Sequence, residues 1–430
     1  MKLRPAERLI GEISLPGDKS ISHRAVMIGS LAEGTTSITN FATSADCAST
    51  VACFEQLGVI IDRAETDVTV HGVGKHGLRA PDTPLDCGNS GTTMRLMSGI
   101  LAGQPFDSVL TGDESLRSRP MKRVIDPLTA MGGIVECDSG RAPLTIRGRE
   151  LNGIEYAPPV ASAQIKSCVL LAGLFAAGQT SVVEATPTRD HTELMLRQFG
   201  VDVRENRQTD ATIISVTGDA KLTATQIDVP GDISSAAFFM VAAASLPGSR
   251  LTLKNVGLNP TRSAVLLALA QLGVRLSVEH HPQTSGEPVG DITIEGGIDQ
   301  TTEPDILAGP VIANLIDELP VLAVLGTQLE HGLEVRDARE LRVKESDRIA
   351  SVVTNLRRMG ATVNELEDGF QISRSHLNGA RIDSFGDHRI AMAFAVAGLL
   401  AKGETYIQNA ECVDVSFPSF FQTLAEVTQR

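Results

Sequence analysis

One phrase recurs six times along this chain, so any fold it adopts is built from six copies of one supersecondary unit. A polar turn with Gly or Ser leads into a helix rich in Ala, Leu and Met. A Gly follows, then a short β-branched strand. The copies open near Gly17, Gly88, Ser162, Gly231, Asp317 and Gly386, spaced by roughly 70 residues with one longer interval before the fifth. Helices such as SHRAVMIGSLAEG, QIKSCVLLAGLFAAG and HRIAMAFAVAGLLAKG are apolar nearly all round and are expected to be buried. Inside most copies a second, more polar helix ends in Gly before a strand, as in VACFEQLGVIID and VVTNLRRMGATVNE, and is expected outside. The Gly after each helix suits a left-handed C-cap. Solenoid repeats run about 20–50 residues, so this longer unit predicts compact lobes of three copies each. Since 430 residues exceed one ordinary core, two lobes also suit the length. The break is expected between the third and fourth copies, near residues 223–226. A loop insertion is expected at 280–286, and an N-terminal strand at 2–13 suits either lobe.

Composition removes several function classes. With 42% hydrophobic and 21% charged residues the chain is globular. Its longest apolar run, 390–401, is short of the roughly 18 residues a spanning helix needs. A net charge of −14 makes a poor non-specific partner for nucleic acid, and 3% aromatics with no Trp leave few rings for stacking bases. The six Cys (47, 53, 87, 137, 168, 412) form no CxxC pair, so neither a zinc ribbon nor a redox dithiol is indicated, and Cys168 reads as a core residue. No apolar stretch follows the first residues, so no secretory signal is expected and a cytoplasmic location is. There is no GxxxxGK[ST], no GxGxxG after a strand and no HExxH; His71 and His76 in a Gly-rich loop are not assigned a metal.

The chemistry is expected at the polar turns. Helix N-termini expose N–H groups and partial positive charge, and small side chains let an anion approach them. Taken singly, such turns are ordinary N-caps. Here cations accompany them. The first turn carries Lys19, Ser20 and Arg24, and the second Asn89, Gly91, Thr92 and Arg95. Ser162, Ala163, Gln164 and Lys166 open the third copy, and Asp387 to Arg389 the sixth. A cation at a helix start opposes the dipole, at roughly a few tenths of a kcal/mol or more. That points to a shared negative ligand, or to ion pairs with the adjacent Asp18 and Asp387. Residues 114–121, with Arg119, read as a polar, basic loop. Residues 341–348 are expected to open a helix with Lys344 and Arg348 on one face and Glu345 one residue round; alone, this would be a solvated charged turn. Asp317 and Glu318 precede the apolar run 319–325. Two readings fit them: an acidic pair complementing the helix dipole, or a carboxylate made more basic by desolvation.

Eight ordered segments carry a family resemblance: LPGDKSISHR (15–24), GNSGTTMR (88–95), LTGDESLRSRPM (110–121), SAQIKS (162–167), RDHTE (189–193), DELPVLAV (317–324), RVKESDR (342–348) and GDHRIAMAF (386–394). Over essentially its full length the chain resembles the EPSP synthases, enolpyruvyl transferases also called 3-phosphoshikimate 1-carboxyvinyltransferases. The resemblance implies an α/β (α+β) fold of two lobes, each of three βαβαββ repeats around buried helices, hinged around an interdomain cleft. One lobe would take residues 1–15 plus 228–430, the other 16–227. It implies transfer of the enolpyruvyl group of phosphoenolpyruvate to the 5-hydroxyl of shikimate 3-phosphate through a tetrahedral adduct, releasing phosphate. Lys19, Ser20, Arg24, Ser162, Gln164, Arg189 and Lys344 would hold shikimate 3-phosphate. Lys19, Gly91, Arg119, Arg348 and Arg389 would hold phosphoenolpyruvate, with Asn89, Thr92 and Ala163 also in the substrate-binding set. Asp317 would be the base at the attacking hydroxyl and Glu345 the group handling the methylene proton, with Lys19 also catalytic. No cofactor or metal, a monomer, and no nucleic-acid or membrane partner are implied. Glyphosate sensitivity is expected because Gly91 has no Cβ to crowd a molecule longer than phosphoenolpyruvate.

The chain departs from the family pattern at Glu411, where one branch has Lys shortly before its Ser/Thr-Phe-Pro, here Ser416-Phe417-Pro418. Ser162-Ala163-Gln164 and Arg189 resemble a second branch. Two other readings stand beside this one. A UDP-N-acetylglucosamine enolpyruvyl transferase usually carries a Cys in the loop before its Arg-Pro, whereas residues 114–120 contain none and Cys137 lies well beyond. A non-catalytic anion-binding protein would lack the acid–base pair, whereas Asp317 and Glu345 are both present.

Overall fold

A computed structural model describes residues 1–282, 286–300 and 305–430. The chain divides into two units. The first comprises Gly17–Val229 with Thr284–Glu287; the second comprises Met1–Pro16, Pro230–Gln283 and Pro288–Arg430. Each has its own hydrophobic core. Residues 283–285 of the expected loop insertion lie outside the described residues.

The first unit is built on helices Lys19–Leu31, Gly91–Ala102 and Ala163–Gly173. The second is built on Ile233–Ser245, Leu319–Gly326 and His388–Leu400. All six are buried over nearly their whole length, as expected of helices without a polar face. Small residues let them pack closely. A Cβ on Gly99 would sit 2.2 Å from the Cys168 carbonyl oxygen, so only Gly allows Gly91–Ala102 to approach Ala163–Gly173 there. The second helices, such as Ala45–Gln56 and Arg348–Arg358, bury one face only.

Each repeat carries a parallel strand pair. In four copies strand, buried helix and strand follow one another: Leu85–Asp86 with Ser108–Thr111, Glu155–Tyr156 with Gln179–Glu184, Asp305–Leu307 with Leu333–Val335, and Arg381–Asp383 with Thr405–Gln408. In the other two the first strand comes from far along the chain. Gln226–Asp228 closes the first unit by pairing with Glu33–Thr39. Arg8–Ser14, from the N-terminus, pairs with Arg250–Gly257 in the second. That pairing makes the second unit discontinuous in sequence. An antiparallel hairpin extends most pairs, as where Arg141–Arg147 joins Ser108–Thr111 to Ile134–Asp138. In the last copy Lys2–Leu3 fills the edge instead, antiparallel to Thr405–Gln408.

Three local expectations are corrected. The single strand expected at 2–13 is two, Lys2–Leu3 and Arg8–Ser14, with Pro5 between them lacking an N–H for a ladder. The Gly C-cap rule holds at Gly58 and Gly360, with φ of +88° and +87°, but fails at Gly103, which ends its helix at φ −93°. The 114–121 segment is not all loop. Asp113 accepts a hydrogen bond from Leu116 N at 2.7 Å and starts a short helix, Glu114–Ser118. Among the described residues no single helix is long and apolar enough to cross a membrane.

Candidate active site

In the first unit the starts of the three buried helices are tied pairwise by side chains. His23 Nδ1 and Thr50 Oγ1 are 2.7 Å apart, as are Thr50 Oγ1 and Thr93 Oγ1, linking the first and second helices. Gln164 Nε2 donates to Thr92 Oγ1 at 3.0 Å and its Oε1 accepts from Arg95 Nη1 at 2.7 Å, linking the second and third. Arg24 Nη2 donates to Ser167 Oγ at 2.9 Å, linking the first and third. Arg24 also donates to Thr192 Oγ1 (2.6 Å) and to the Ser20 carbonyl (2.9 Å). Burial lowers its guanidinium to about 10, although Glu193 and Asp18 oppose the shift. Burial, with Lys19 and Arg24 nearby, holds His23 well below the usual imidazole range, so it is neutral.

These helix starts differ in how they are capped. Asp18 and Ser90 accept from Ile21 N and Thr93 N at 2.9 and 3.1 Å. Ser162 makes no such bond, so the Ala163–Gly173 start lacks a side-chain cap. Lys19 Nζ meets Asp46 Oδ2 at 2.9 Å. Arg119 Nη2 donates to Asn89 Oδ1 at 2.6 Å, and Asn89 Nδ2 to Asp113 Oδ2 at 2.7 Å, so Asn89 orients Arg119. A Cβ on Gly91 would lie 2.7 Å from Arg95 Nη1 and 3.4 Å from Arg119 Nη1. Two guanidinium groups therefore crowd one bare backbone position. Arg189 is half-buried in the turn between Gln179–Glu184 and the helix His191–Gln198. Ser20, Ala163 and Thr92 are half-buried beside these groups.

In the second unit the corresponding ties are ionic. Arg348, fully buried, donates Nε to Asp387 Oδ2 at 2.8 Å, Nη2 to Glu345 Oε2 at 2.6 Å and Nη1 to Asp317 Oδ1 at 3.3 Å. Lys344 Nζ and Arg389 Nε stand 3.9 and 3.8 Å from the same Asp317 oxygen. Arg389 Nη1 also donates to the Asp317 carbonyl at 3.0 Å. Burial would lower the Arg348 guanidinium, but Asp387, Glu345 and Asp317 reverse this and the net shift is upward. Burial lowers the Lys344 ammonium, with Asp317 opposing and Arg348 reinforcing the shift. For Asp317 the sequence weighed desolvation; the structure adds three cations, Lys344, Arg348 and Arg389, around one carboxylate oxygen. Glu318, with no exposed surface, accepts from Ser234 Oγ and pairs with Arg262 Nη2 at 3.2 Å.

The structure changes one placement. Lys344 and Arg348 do not share a helix face, because the helix begins at Arg348, capped by Asp347 on Ala350 N at 3.0 Å. Lys344 instead follows the 3₁₀ turn Arg339–Val343 and still reaches Asp317. Asp387 forms an ion pair with Arg348, and Lys19 forms one with Asp46 on the next helix. Sequence reasoning missed Asp46, Thr50, Thr192, Arg262 and the buried role of Glu318, and it noted Arg95 at the second helix start without giving it a role. Lys166 was noted but given no role. Its Nζ reaches Glu184 Oε2 (2.8 Å), Glu193 Oε1 (2.7 Å) and the Thr188 carbonyl (3.2 Å). The signal was available: a lone Lys inside an apolar, buried helix needs a buried counter-charge. Glu411, the departure from the family pattern, is exposed in the turn Ala410–Val415. Among the described residues no group of three or more His, Cys, Asp or Glu is arranged to hold a metal ion.

Comparison with known proteins decides the family. The family model for EPSP synthase (3-phosphoshikimate 1-carboxyvinyltransferase) matches residues 3–424. The chain belongs to the EPSP synthase family. A 3-phosphoshikimate 1-carboxyvinyltransferase of Koribacter versatilis is 53% identical over 435 residues, covering 100% of this chain and 99% of the relative. One from Bacillus velezensis is 50% identical over 434 residues, covering 100% of both. A solved structure of EPSP synthase from Acinetobacter baumannii superposes with a TM-score of 0.86 at 44% identity, covering 99% of this chain and 98% of that one. The mixed α/β fold is thus that of an EPSP synthase, and the UDP-N-acetylglucosamine reading is not favoured.

Proposed function

We propose that this EPSP synthase transfers the enolpyruvyl group of phosphoenolpyruvate to shikimate 3-phosphate through the residues described above. Family membership supplies the reaction. The residue roles rest on one observation in particular: Arg348 joins the two proposed proton-handling groups, its Nη1 on Asp317 and its Nη2 on Glu345. One buried guanidinium thereby fixes a base and an acid in relation to each other.

Asp317 takes the proton of the attacking hydroxyl as its oxygen bonds to the enol carbon. Glu345 delivers a proton to the methylene carbon in the same addition. The tetrahedral adduct then expels phosphate while a proton leaves the new methyl group, returning to Glu345, and the double bond reforms. General acid–base groups of this kind contribute roughly 10²–10⁴-fold each. Lys344, Arg348 and Arg389 compensate charge as it moves onto the leaving phosphate. Shikimate 3-phosphate is assigned to Lys19, Ser20, Arg24, Ser162, Ala163, Gln164, Arg189 and Lys344. Phosphoenolpyruvate is assigned to Lys19, Asn89, Gly91, Thr92, Arg119, Arg348 and Arg389. The uncapped start of Ala163–Gly173 and the arginines crowding Gly91 support these assignments. Glyphosate acts at Gly91, where an added Cβ would push on Arg95 and Arg119. The enzyme works as a cytoplasmic monomer on small anions; its net charge of −14 supports the absence of a nucleic-acid partner.

Phosphate release tests the substrate assignment. Phosphoenolpyruvate with shikimate 3-phosphate should release one phosphate per turnover, and UDP-N-acetylglucosamine should not replace the acceptor. Release with the nucleotide sugar alone would reverse the assignment.

A further inference from the structure

The buried ion cluster around Lys166 touches none of the acid–base groups, and the mechanism above does not use it. Lys166 is 1% exposed and projects from Ala163–Gly173, the helix whose start carries Ser162 and Gln164. It contacts both ends of one chain segment: Glu184 at the end of a strand, the Thr188 carbonyl, and Glu193 in the following helix. Arg189 and Asp190 lie between those contacts. Thr188 Oγ1 adds a hydrogen bond to Glu184, closing the loop on itself. At its far end His191 Nδ1 meets Glu287 Oε1 at 2.7 Å. Beside the cluster, Ser167 and Thr192 share a hydrogen bond of 2.7 Å, and both accept from Arg24.

A buried ammonium is costly without partners, and replacing such a cluster with apolar groups is often neutral or stabilising. Its presence therefore calls for a role other than stability. The geometry points to Lys166 as a positioning residue: it fixes the turn carrying Arg189 against the helix start carrying Gln164, and so pre-sets the site for shikimate 3-phosphate. Burial opposes the charge on Lys166, but Glu193 and Glu184 outweigh it and raise the ammonium above its usual range; burial also raises the Glu193 carboxyl, with Lys166 opposing that shift. Holding a cation in place before the ligand arrives lowers the ordering cost of binding. This inference rests on the assignment of Arg189 to shikimate 3-phosphate.

The test is a double-mutant cycle. Lys166→Met/Glu193→Gln removes one charge of each sign and keeps the local sum unchanged; Glu193→Gln alone is the milder variant should the pair not fold. Initial rates against each substrate, with the melting temperature alongside, should show KM for shikimate 3-phosphate raised at least tenfold by the pair and about threefold by Glu193→Gln. KM for phosphoenolpyruvate should move less than threefold. In an Arg189→Ala background the same changes should add little, because the group they position is gone. Equal rises in both KM values, or full additivity with Arg189→Ala, would reduce Lys166 to a structural residue. Should Arg189→Ala itself leave KM for shikimate 3-phosphate unchanged, the site assignment of Arg189 fails, and the inference falls with it.

Discussion

The two units solve the same local problem in different chemistry. In each, three buried helices begin in polar turns whose side chains bind one another. In the first unit the acceptors that tie the helix starts are neutral hydroxyls and an amide (Thr50, Thr93, Thr92, Ser167 and Gln164, with neutral His23 among them), and Arg24 and Arg95 donate to them. In the second they are charges: Asp317, Glu318, Glu345 and Asp387 against Arg262, Lys344, Arg348 and Arg389. Guanidinium groups held by neutral acceptors present positive charge to an anionic ligand, which suits recognition. A network of carboxylates on guanidinium groups can take up and return protons, which suits the chemical step. The difference divides the labour: substitutions in the first unit should act mainly on KM, and those on the second unit's carboxylates mainly on kcat.

The strongest attack on that division is Asp317→Ala. It should lower kcat by about 10²–10⁴-fold while shikimate 3-phosphate still binds, read by steady-state kinetics and by calorimetry of the binary complex. A variant with unchanged kcat would remove Asp317 from the mechanism. Arg389→Ala sharpens the division inside the second unit, since Arg389 is assigned to an anion. A charged hydrogen bond is worth roughly 1.5–3 kcal/mol, so KM for phosphoenolpyruvate should rise about 10- to 100-fold with a smaller change for shikimate 3-phosphate. Equal effects on both substrates would count against the assignment. Gln164→Ala in the first unit removes a neutral amide. A loss of roughly 0.5–1.5 kcal/mol should raise KM for shikimate 3-phosphate about 3- to 10-fold at nearly constant kcat. A larger fall in kcat than rise in KM would break the division.

The smallest effect concerns pH. His23 is held well below the ordinary imidazole range, so the unfolded chain binds the proton first as pH falls. Stability is therefore fully present above about pH 6.5 and is lost below it, at up to about 1.4 kcal/mol per pH unit from this one group. His23→Gln should flatten the loss between pH 6.5 and 5 in denaturant titrations. Parallel curves for the two proteins would show that His23 is not the group responsible.

Much of this organisation was legible in the sequence, for identifiable reasons. The six buried helices announced themselves because they lack a polar face, and Lys19, Arg24 and Arg389 stood out as cations at helix starts where the dipole disfavours them, whereas the roles of Arg119, Arg189, Lys344, Asp317 and Glu345 came from the family resemblance. Closure of each unit by a distant strand was not legible. Gln226–Asp228 and Arg8–Ser14 are short β-rich runs whose partners are fixed only by long-range pairing. The helix expected to carry both Lys344 and Arg348 failed for a local reason, the Asp347 cap, which starts the helix later than periodicity suggested. Asp46 and Glu193 were given no role from the sequence, and only the packing shows them turned toward Lys19 and Lys166.

Proton traffic at carbon tests the division of labour most directly. In D₂O, with both substrates present, deuterium incorporation into the methylene group of the enolpyruvyl product is followed by NMR and expressed per enzyme per second. With Glu345 as the carbon acid, wild-type enzyme incorporates deuterium during turnover, and Glu345→Gln loses at least 100-fold in that rate while still binding shikimate 3-phosphate. Incorporation at the wild-type rate in Glu345→Gln would contradict the assignment of the proton chemistry to the second unit's ionic network.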